Sequence, residues 1–133
     1  MNAITTVYEF LDHAKTYYLA TVEDNQPRVR IYGTILLFEG ELYIMALRHT
    51  NAVNQIAKNH NAEIATFDQG KQLRLTCRLE PTDRQEVRNA MAEKMPMLKT
   101  AAGEKYSNFV MMKIIQAHAT IADMAGNGET YTF

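Results

Sequence analysis

The sequence has one cysteine, three prolines and no tryptophan, and its apolar runs are short. A single cysteine, Cys77, excludes an internal disulfide and a cysteine-rich zinc site. No run approaches the roughly 20 apolar residues that a membrane-spanning helix needs. The N-terminus has no basic start and carries Glu9 and Asp12, so we expect no signal peptide. These absences predict a protein of the reducing cytoplasm without a membrane partner.

The charges are balanced, and the familiar catalytic signatures are missing. Fourteen lysines and arginines against fifteen acidic residues give a net charge of −1, so no overall field attracts nucleic acid. The sequence contains no phosphate-binding glycine loop and no nucleophile elbow. The four histidines never stand at metal-ligand spacing with a carboxylate, so we predict no metal site. With 133 residues, 47% of them hydrophobic, residues 1–133 are expected to form one domain.

Hydrophobic periodicity and turn residues predict a mainly β protein with a few helices. A capping box formed by Thr6 and Glu9 is expected in the first helix, and Thr50 or Asn51 is expected to cap the second. Gly33, midway along a long strand, predicts a bend or a close approach of another backbone. The predicted elements are helices over 3–15, 51–59 and 83–95, strands over 17–22, 28–38, 41–47, 63–68, 71–80 and 108–122, an irregular or partly helical stretch over 97–106, and a turn with a short terminal segment over 126–133.

These strands are joined mainly by hairpins, with 28–47 forming one of them, which predicts an antiparallel sheet. Six strands with long, curved runs favour a small barrel, because closure removes exposed edges. Cys77 lies on the apolar face of the 71–80 strand, so a buried structural thiol is expected there rather than a nucleophile. The methionines at 111–112 and in the 91–97 segment are expected to pack in the core or in a subunit interface.

The strongest local signal for chemistry is the junction between the 41–47 strand and the second helix. A helix start presents unpaired N–H groups and a partial positive charge, which suit a phosphate, and Arg48, Thr50 and Asn51 add donors there. Arg28 and Arg30 project from one face of the preceding hairpin, where they are able to clamp a phosphate. The alternative is that Thr50 only caps the helix and the arginines are solvated surface.

A second basic stripe runs along the 71–80 strand. Arg74, Thr76 and Arg78 alternate with apolar residues, so they share one face of that strand. This face is either a solvated outer surface or, if the protein is an oligonucleotide-binding barrel, a track for phosphates. The balanced charge argues against the second interpretation, and no nucleic-acid partner is expected.

The stretch YYLATVEDNQPRVRIYGTILLFEGELYIMAL, followed by RHTNAVNQIAKNHNAEIATFD and KQLRLTCRL, resembles the small members of the pyridoxamine 5'-phosphate oxidase-like family, among them stress-protein and nitroimidazole-reductase-like proteins. The resemblance covers nearly the whole chain. It implies a six-stranded antiparallel split β-barrel of Greek-key type that forms a homodimer, with FMN bound in clefts between the subunits. This chain departs from many relatives at several positions, where it has Ile31, Tyr32, Ala46, Thr50, Asn59–His60 and Cys77.

The resemblance also implies roles for particular residues. It places Arg28 or Arg30 near the flavin or its phosphate, and residues 48–51, which include His49, in the loop that holds the phosphate. Tyr32 and Gly33 would lie along the isoalloxazine ring. The partner subunit would contribute from the strand around Arg74 to Arg78 and from the C-terminal segment. The implied cofactor-binding set is Arg28, Arg30, Tyr32, Gly33, Arg48, His49, Thr50 and Asn51.

The leading functional hypothesis is an FMN-dependent oxidoreductase that acts on a small organic substrate. No side chain is indicated as an obligatory acid or base, and His49 and Tyr32 are candidates only by proximity. The chain ends before the C-terminal substrate-binding segment of authentic pyridoxamine phosphate oxidases, so that activity is not predicted. The alternative is a non-catalytic protein on the same barrel that binds flavin or haem, for which His49, His60 and His118 would be examined.

Overall fold

The computed structural model describes residues 2–133. Eight strands and three α-helices follow one another along the chain, with two short turns of 3₁₀-helix between the third helix and the seventh strand. The elements are α1 (Ala3–Ala14), β1 (Tyr17–Glu23), β2 (Gln26–Tyr32), β3 (Leu36–Phe38), β4 (Glu41–Leu47), α2 (Asn51–Lys58), β5 (Asn61–Asp68), β6 (Lys71–Thr82), α3 (Gln85–Lys94), the 3₁₀ turns Pro96–Ala101 and Glu104–Tyr106, β7 (Phe109–Asp123) and β8 (Gly128–Thr132).

The eight strands form one sheet in which every pairing is antiparallel. The strand order is β2-β1-β5-β6-β7-β4-β3, and β8 also pairs with β7. The path is not closed, because β2 and β3 each have only one neighbour in this order. The prediction of a mainly β, antiparallel fold with few helices is confirmed, and the open path matches a split barrel.

Three hairpins are closed by two-residue turns, and each turn begins with a residue at positive φ. In β1–β2 this residue is Asp24, with a φ of 54°, and the register pairs Glu23 with Gln26. Glu39–Gly40 and Gln69–Gly70 close β3–β4 and β5–β6 in the same way, with φ between 51° and 78°. In the Glu39–Gly40 and Gln69–Gly70 turns φ is positive at both central positions, which matches the right-handed twist of the strands, and glycine adopts such a φ without strain. The turns expected at 39–40 and 68–70 are confirmed.

The long strand predicted over 28–38 is wrong, because the chain leaves the sheet between β2 and β3. A Cβ on Gly33 would lie 3.1 Å from the carbonyl oxygen of Lys15, so this position does accommodate a close backbone approach. Thr34 then replaces backbone pairing with its side chain, since its Oγ1 accepts from Met45 N at 3.0 Å and donates to Met45 O at 3.1 Å. The Tyr17 hydroxyl donates to Thr34 O at 2.6 Å.

This break changes the predicted hairpin and the strand count. Residues 28–47 are not one hairpin: β2 pairs with β1, and only β3 pairs with β4. The terminal segment also forms a strand, β8, along the edge of β7. The sheet therefore has eight strands where six were predicted.

The starts predicted for α1 and α2 are confirmed, whereas α3 begins two residues later than predicted, and the predicted caps of α1 and α3 are wrong. Asn2 caps α1 by accepting from the backbone N–H of Thr5 at 2.9 Å, so Thr6 and Glu9 lie inside the helix and form no capping box. Asp83 does not cap α3 either, because its carboxylate pairs with the Arg88 guanidinium. Between residues 2 and 133, no helix is long and apolar enough to cross a membrane.

Two clusters of buried side chains hold the sheet and helices together. The first packs α1 and α2 against the strands of the sheet, and the second joins α3 and the 3₁₀ turns to β3, β4 and β7. The largest buried members of the first are Tyr17, Leu11, Leu19, Leu42, Ile44, Ile56, Ile64, Leu73, Leu75 and Leu79, and those of the second are Tyr43 and Phe109. Met91, Met111 and Met112 are fully buried as expected, whereas Met97 is 71% exposed.

Gly128, at the start of β8, lies against β7 with no room for a side chain. A Cβ there would lie 2.1 Å from Ile121 O and 2.7 Å from Ala122 Cβ. Gly128→Ala is therefore expected to lower the free energy of unfolding by about 1–3 kcal/mol, because backbone has to move to admit the methyl group. Urea unfolding measures the loss. Thr130→Ala, an exposed change on the same strand, is the control and should cost less than about 0.5 kcal/mol. Equal stability of both variants would contradict this packing.

Candidate functional site

A groove runs between β2 and the start of α2, and we name it the β2–α2 groove. Its volume is about 670 Å³, within the usual range of about 300–1,000 Å³ for small-molecule sites. One wall is the edge strand β2, and the other is the first turns of α2. The lining residues are Glu23, Arg28, Val29, Arg30, Ile31, Tyr32, Thr50, Asn51, Ala52 and Gln55.

Arg30 is fixed in the wall of this groove by hydrogen bonds to neutral groups. Its Nη1 donates to Thr21 Oγ1 at 2.7 Å and its Nη2 donates to Gln55 Oε1 at 2.6 Å. A longer contact of 3.4 Å joins Nη1 to the carbonyl oxygen of Leu19, which faces Arg30 across the β1–β2 pair. The guanidinium is half-buried, so its orientation is defined by these contacts.

The charge of Arg30 has no counter-charge, in contrast to that of Arg28. Over residues 2–133, no carboxylate lies within 4.0 Å of the Arg30 guanidinium. Arg28 instead pairs with Glu23, whose carboxylate lies 2.8 Å from Nη2. Arg28, and to a smaller degree Gln55, hold the pKa of the Glu23 carboxyl below its ordinary value. The net positive charge in the groove therefore comes from Arg30.

The start of α2 adds backbone donors to the same groove. Thr50 occupies the N-cap position, but its side chain caps nothing and donates to Leu47 O at 2.7 Å. The expected side-chain cap by Thr50 or Asn51 is therefore not present. N–H groups in the first turn of a helix have no intrahelical acceptor and carry the positive end of the helix dipole. Thr50, Asn51 and Ala52 bring this end of α2 into the groove.

Tyr32 forms the end of the groove nearest the break in the chain. Its ring meets the buried ring of Tyr17 edge to face, with 6.3 Å between centroids. Burial raises the pKa of the Tyr32 phenol, while the nearby Arg30 and Thr50 side chains act in the opposite direction. The phenol is thus protonated at neutral pH and available as a hydrogen-bond donor.

Of the eight candidate residues, the structure brings five together in the β2–α2 groove: Arg28, Arg30, Tyr32, Thr50 and Asn51. Arg48 faces a different depression, near Gln85 and Lys105, and its Nε donates to Ser107 O at 2.9 Å. Gly33 lines a third depression, between α1 and α3. His49 is exposed and lines none of these.

Sequence reasoning missed Gln55 and Thr21, which hold Arg30. Both are buried, with 5% and 2% of their surface exposed. The sequence did contain a signal for Gln55, because it is a polar residue on the apolar face of a short helix, beside Ile56. A polar side chain on such a face indicates a buried hydrogen-bond partner. Thr21 gave no such signal, since threonine is common in strands.

The second basic stripe lies on the outer face of the sheet. Arg74 pairs with Glu63 at 2.7 Å, and Arg78 donates to Asn61 Oδ1 at 3.2 Å. Those partners are on the neighbouring strand β5, so the stripe's cations are largely satisfied within the sheet. His118 lies on the same outer face, while His60 contacts Leu79 O through Nδ1 at 2.7 Å.

Cys77 is buried, as expected for a structural thiol. Its surface is 6% exposed, and burial raises the pKa of the thiol to about 12. A thiol with a raised pKa carries almost no thiolate near neutral pH, and the thiolate is the reactive form.

The folded protein is therefore expected to resist alkylation of Cys77 by iodoacetamide in mildly alkaline buffer. Mass spectrometry should find the thiol unmodified until a denaturant is added, after which it should react at the rate of a free cysteine. Similar rates with and without denaturant would show that Cys77 is accessible and would contradict its assigned position.

The fold is that of a split-barrel protein with a groove at a sheet edge, and comparisons with known proteins agree with this fold. The pyridoxamine 5'-phosphate oxidase family model matches residues 5–121. A NimC/NimA family protein from Clostridium acetobutylicum is 30% identical, with a TM-score of 0.93 over 98% of this chain and 92% of that one. The chain belongs to the pyridoxamine 5'-phosphate oxidase family, which confirms the resemblance noted from the sequence.

More distant structures share the fold. General stress protein 26 from Bacillus anthracis is 18% identical, with a TM-score of 0.72 over 98% of this chain and 96% of its own. The haem storage protein HutZ from Vibrio cholerae is 17% identical, with a TM-score of 0.63 over 86% of this chain and 89% of its own. No curated protein sequence matches the chain.

Proposed function

We propose that the protein is an FMN-dependent oxidoreductase acting on a small organic substrate, with the FMN phosphate held in the β2–α2 groove. The observation that carries this proposal is the half-buried Arg30 guanidinium, which neutral groups hold in place and no carboxylate among residues 2–133 neutralises. Membership of the family supports the choice of flavin. The cofactor-binding set expected from the sequence remains a proposal, with Arg30, Thr50 and Asn51 as its centre.

The donors in the groove fit a phosphate monoester. Arginine presents several N–H donors in one plane, and its bonds to Thr21, Leu19 and Gln55 leave some of them free. The uncapped start of α2 adds backbone N–H groups and a partial positive charge. Together they would satisfy an anion that water would otherwise solvate.

The chain's own residues would bind and orient the cofactor. FMN, when bound, supplies the redox chemistry, accepting and passing on a hydride or electrons. Arg30 and the start of α2 would hold the phosphate, and the Tyr32 phenol would donate a hydrogen bond from the far end of the groove. Arg48 and His49 lie outside the groove of their own subunit. They would therefore bind the cofactor only in contact with a partner subunit.

The test is a titration of the purified protein with FMN and with riboflavin, which lacks the phosphate. Wild type is expected to prefer FMN. Arg30→Ala should weaken FMN binding on the order of 10- to 100-fold by removing charge-assisted hydrogen bonds, and should leave riboflavin binding unchanged. Arg28→Ala should weaken it less, because its charge is shared with Glu23. Arg84→Ala, which removes a distant cation paired with Glu39, is the control.

A protein that binds neither flavin would contradict the proposal. Equal affinity of wild type for FMN and riboflavin would show that the groove does not hold the phosphate. Unchanged FMN binding by Arg30→Ala would do the same.

We further propose that two copies of the chain associate through the outer face of β2, β1 and β5. Tyr18, Val29, Ile31 and Phe67 leave between 53% and 64% of their surface exposed there. The register places Tyr18 beside Ile31 and Ala20 beside Val29, so the apolar side chains are contiguous. An exposed apolar patch on an edge strand favours association. Val29 and Ile31 also line the groove, so a partner on this face would cover one side of the flavin site.

The homodimer is tested by the double variant Val29→Lys, Ile31→Lys. It is expected to be monomeric by light scattering after gel filtration, because buried lysines without partners oppose association. The control is Met97→Lys with Met124→Lys, which changes two exposed methionines outside this face and should remain dimeric. A monomeric wild type, or a dimeric double variant, would contradict this interface.

The alternative remains a flavin- or haem-binding protein without turnover, and the fold shared with HutZ permits it. None of His49, His60 and His118 lines the β2–α2 groove, so the groove itself favours flavin. The visible spectrum separates haem from flavin, and reduction of bound flavin by NADH or NADPH separates an enzyme from a binding protein. The cytoplasmic location expected from the sequence stays a prediction.

A further inference from the structure

We propose that Gln55, together with Thr21, is a positioning residue that aims the Arg30 guanidinium at the phosphate and, because it is neutral, leaves the positive charge available. This inference rests on the FMN site proposed above. Gln55 would act on the cofactor only through Arg30, and it would set the preference of the site for a phosphorylated flavin.

Three short hydrogen bonds join these side chains into a closed triangle. Thr21 Oγ1 accepts from Arg30 Nη1 at 2.7 Å and donates to Gln55 Oε1 at 2.6 Å. Gln55 Oε1 also accepts from Arg30 Nη2 at 2.6 Å. Because Gln55 and Thr21 are almost completely buried, water does not compete for these contacts.

The chemistry of the triangle fixes which way the Gln55 amide points. Arginine has only donors, so the atom of Gln55 facing it has to be the oxygen. The amide nitrogen then points away from the guanidinium, toward the side of Glu23, where Gln55 helps to hold the carboxyl pKa down.

The neutrality of Gln55 matters as much as its geometry. A carboxylate at the same place would form an ion pair with Arg30 inside the protein, and an incoming phosphate would have to compete with it. A carboxamide offers the same acceptor oxygen without cancelling the charge. The groove therefore keeps a fixed but uncompensated cation, which is what recognition of an anion requires.

Gln55→Glu is the most direct test, because it keeps the shape and the acceptor and changes the charge. The ratio of FMN to riboflavin affinity, measured by flavin fluorescence, is expected to fall on the order of 10- to 100-fold. Riboflavin affinity and thermal stability should stay close to wild type. Asn54→Asp is the matched control, since it adds the same charge to the same helix at an exposed position and should keep the ratio.

A second readout does not depend on flavin. In Gln55→Glu without ligand, carbon NMR should show the introduced carboxyl group titrating well below the ordinary range of a glutamate, because Arg30 stabilises its charged form. An ordinary titration would show that residue 55 does not contact Arg30 in solution and would overturn the inference, whatever the protein binds.

The hydroxyl of Thr21 gives an independent pair of variants. Thr21→Val removes the hydroxyl and should lower the FMN-to-riboflavin ratio, whereas Thr21→Ser keeps the hydroxyl and should restore it. A merely structural role would lower stability in both and leave the ratio unchanged, which would count against positioning.

The outcomes separate the two proposals. If wild type prefers FMN and Gln55→Glu keeps that preference, the positioning role is wrong and the FMN site stands. If wild type shows no preference for FMN over riboflavin, the FMN site falls and this inference falls with it.

Discussion

The hydrogen bonds that hold the Arg30 guanidinium are the contacts on which the proposed FMN site depends. Thr21 and Gln55 come from two elements, β1 and α2, which pack against each other beside the first buried cluster. A cation held by neutral groups at a sheet edge remains free to neutralise an anion. The oxidoreductase proposal depends on that arrangement, while the family assignment does not.

The fold positions this cation through the break at Gly33. Because the chain leaves the sheet there, β2 is an edge strand whose one neighbour in the strand order is β1. Thr34 and Tyr17 hold the crossing in place with side-chain hydrogen bonds, so the split is part of the structure rather than a frayed end. The unpaired edge of β2 therefore borders the β2–α2 groove, and the apolar outer face of β2 remains exposed.

The sequence predicted the architecture better than the site. Hairpin turns such as Glu39–Gly40 and the alternation of 71–80 have strong local signals, so the antiparallel sheet was predictable. The break after Tyr32 was missed because 28–38 contains no strong turn residue besides Gly33. The apolar run 35–38 therefore looks like a continuation of the strand that precedes it. Gln55 was missed because its partner, Arg30, lies 25 residues away in the chain. Arg48 was grouped with the groove by its place beside α2, but its side chain turns toward Ser107.

The most direct measurement of the central claim is a crystal structure of the protein grown with FMN. The account predicts that the phosphate lies within hydrogen-bond distance of the Arg30 guanidinium and of backbone N–H groups at the start of α2, with Gln55 still bonded to Arg30. A phosphate bound elsewhere, for example beside Arg48 and Lys105, would contradict it.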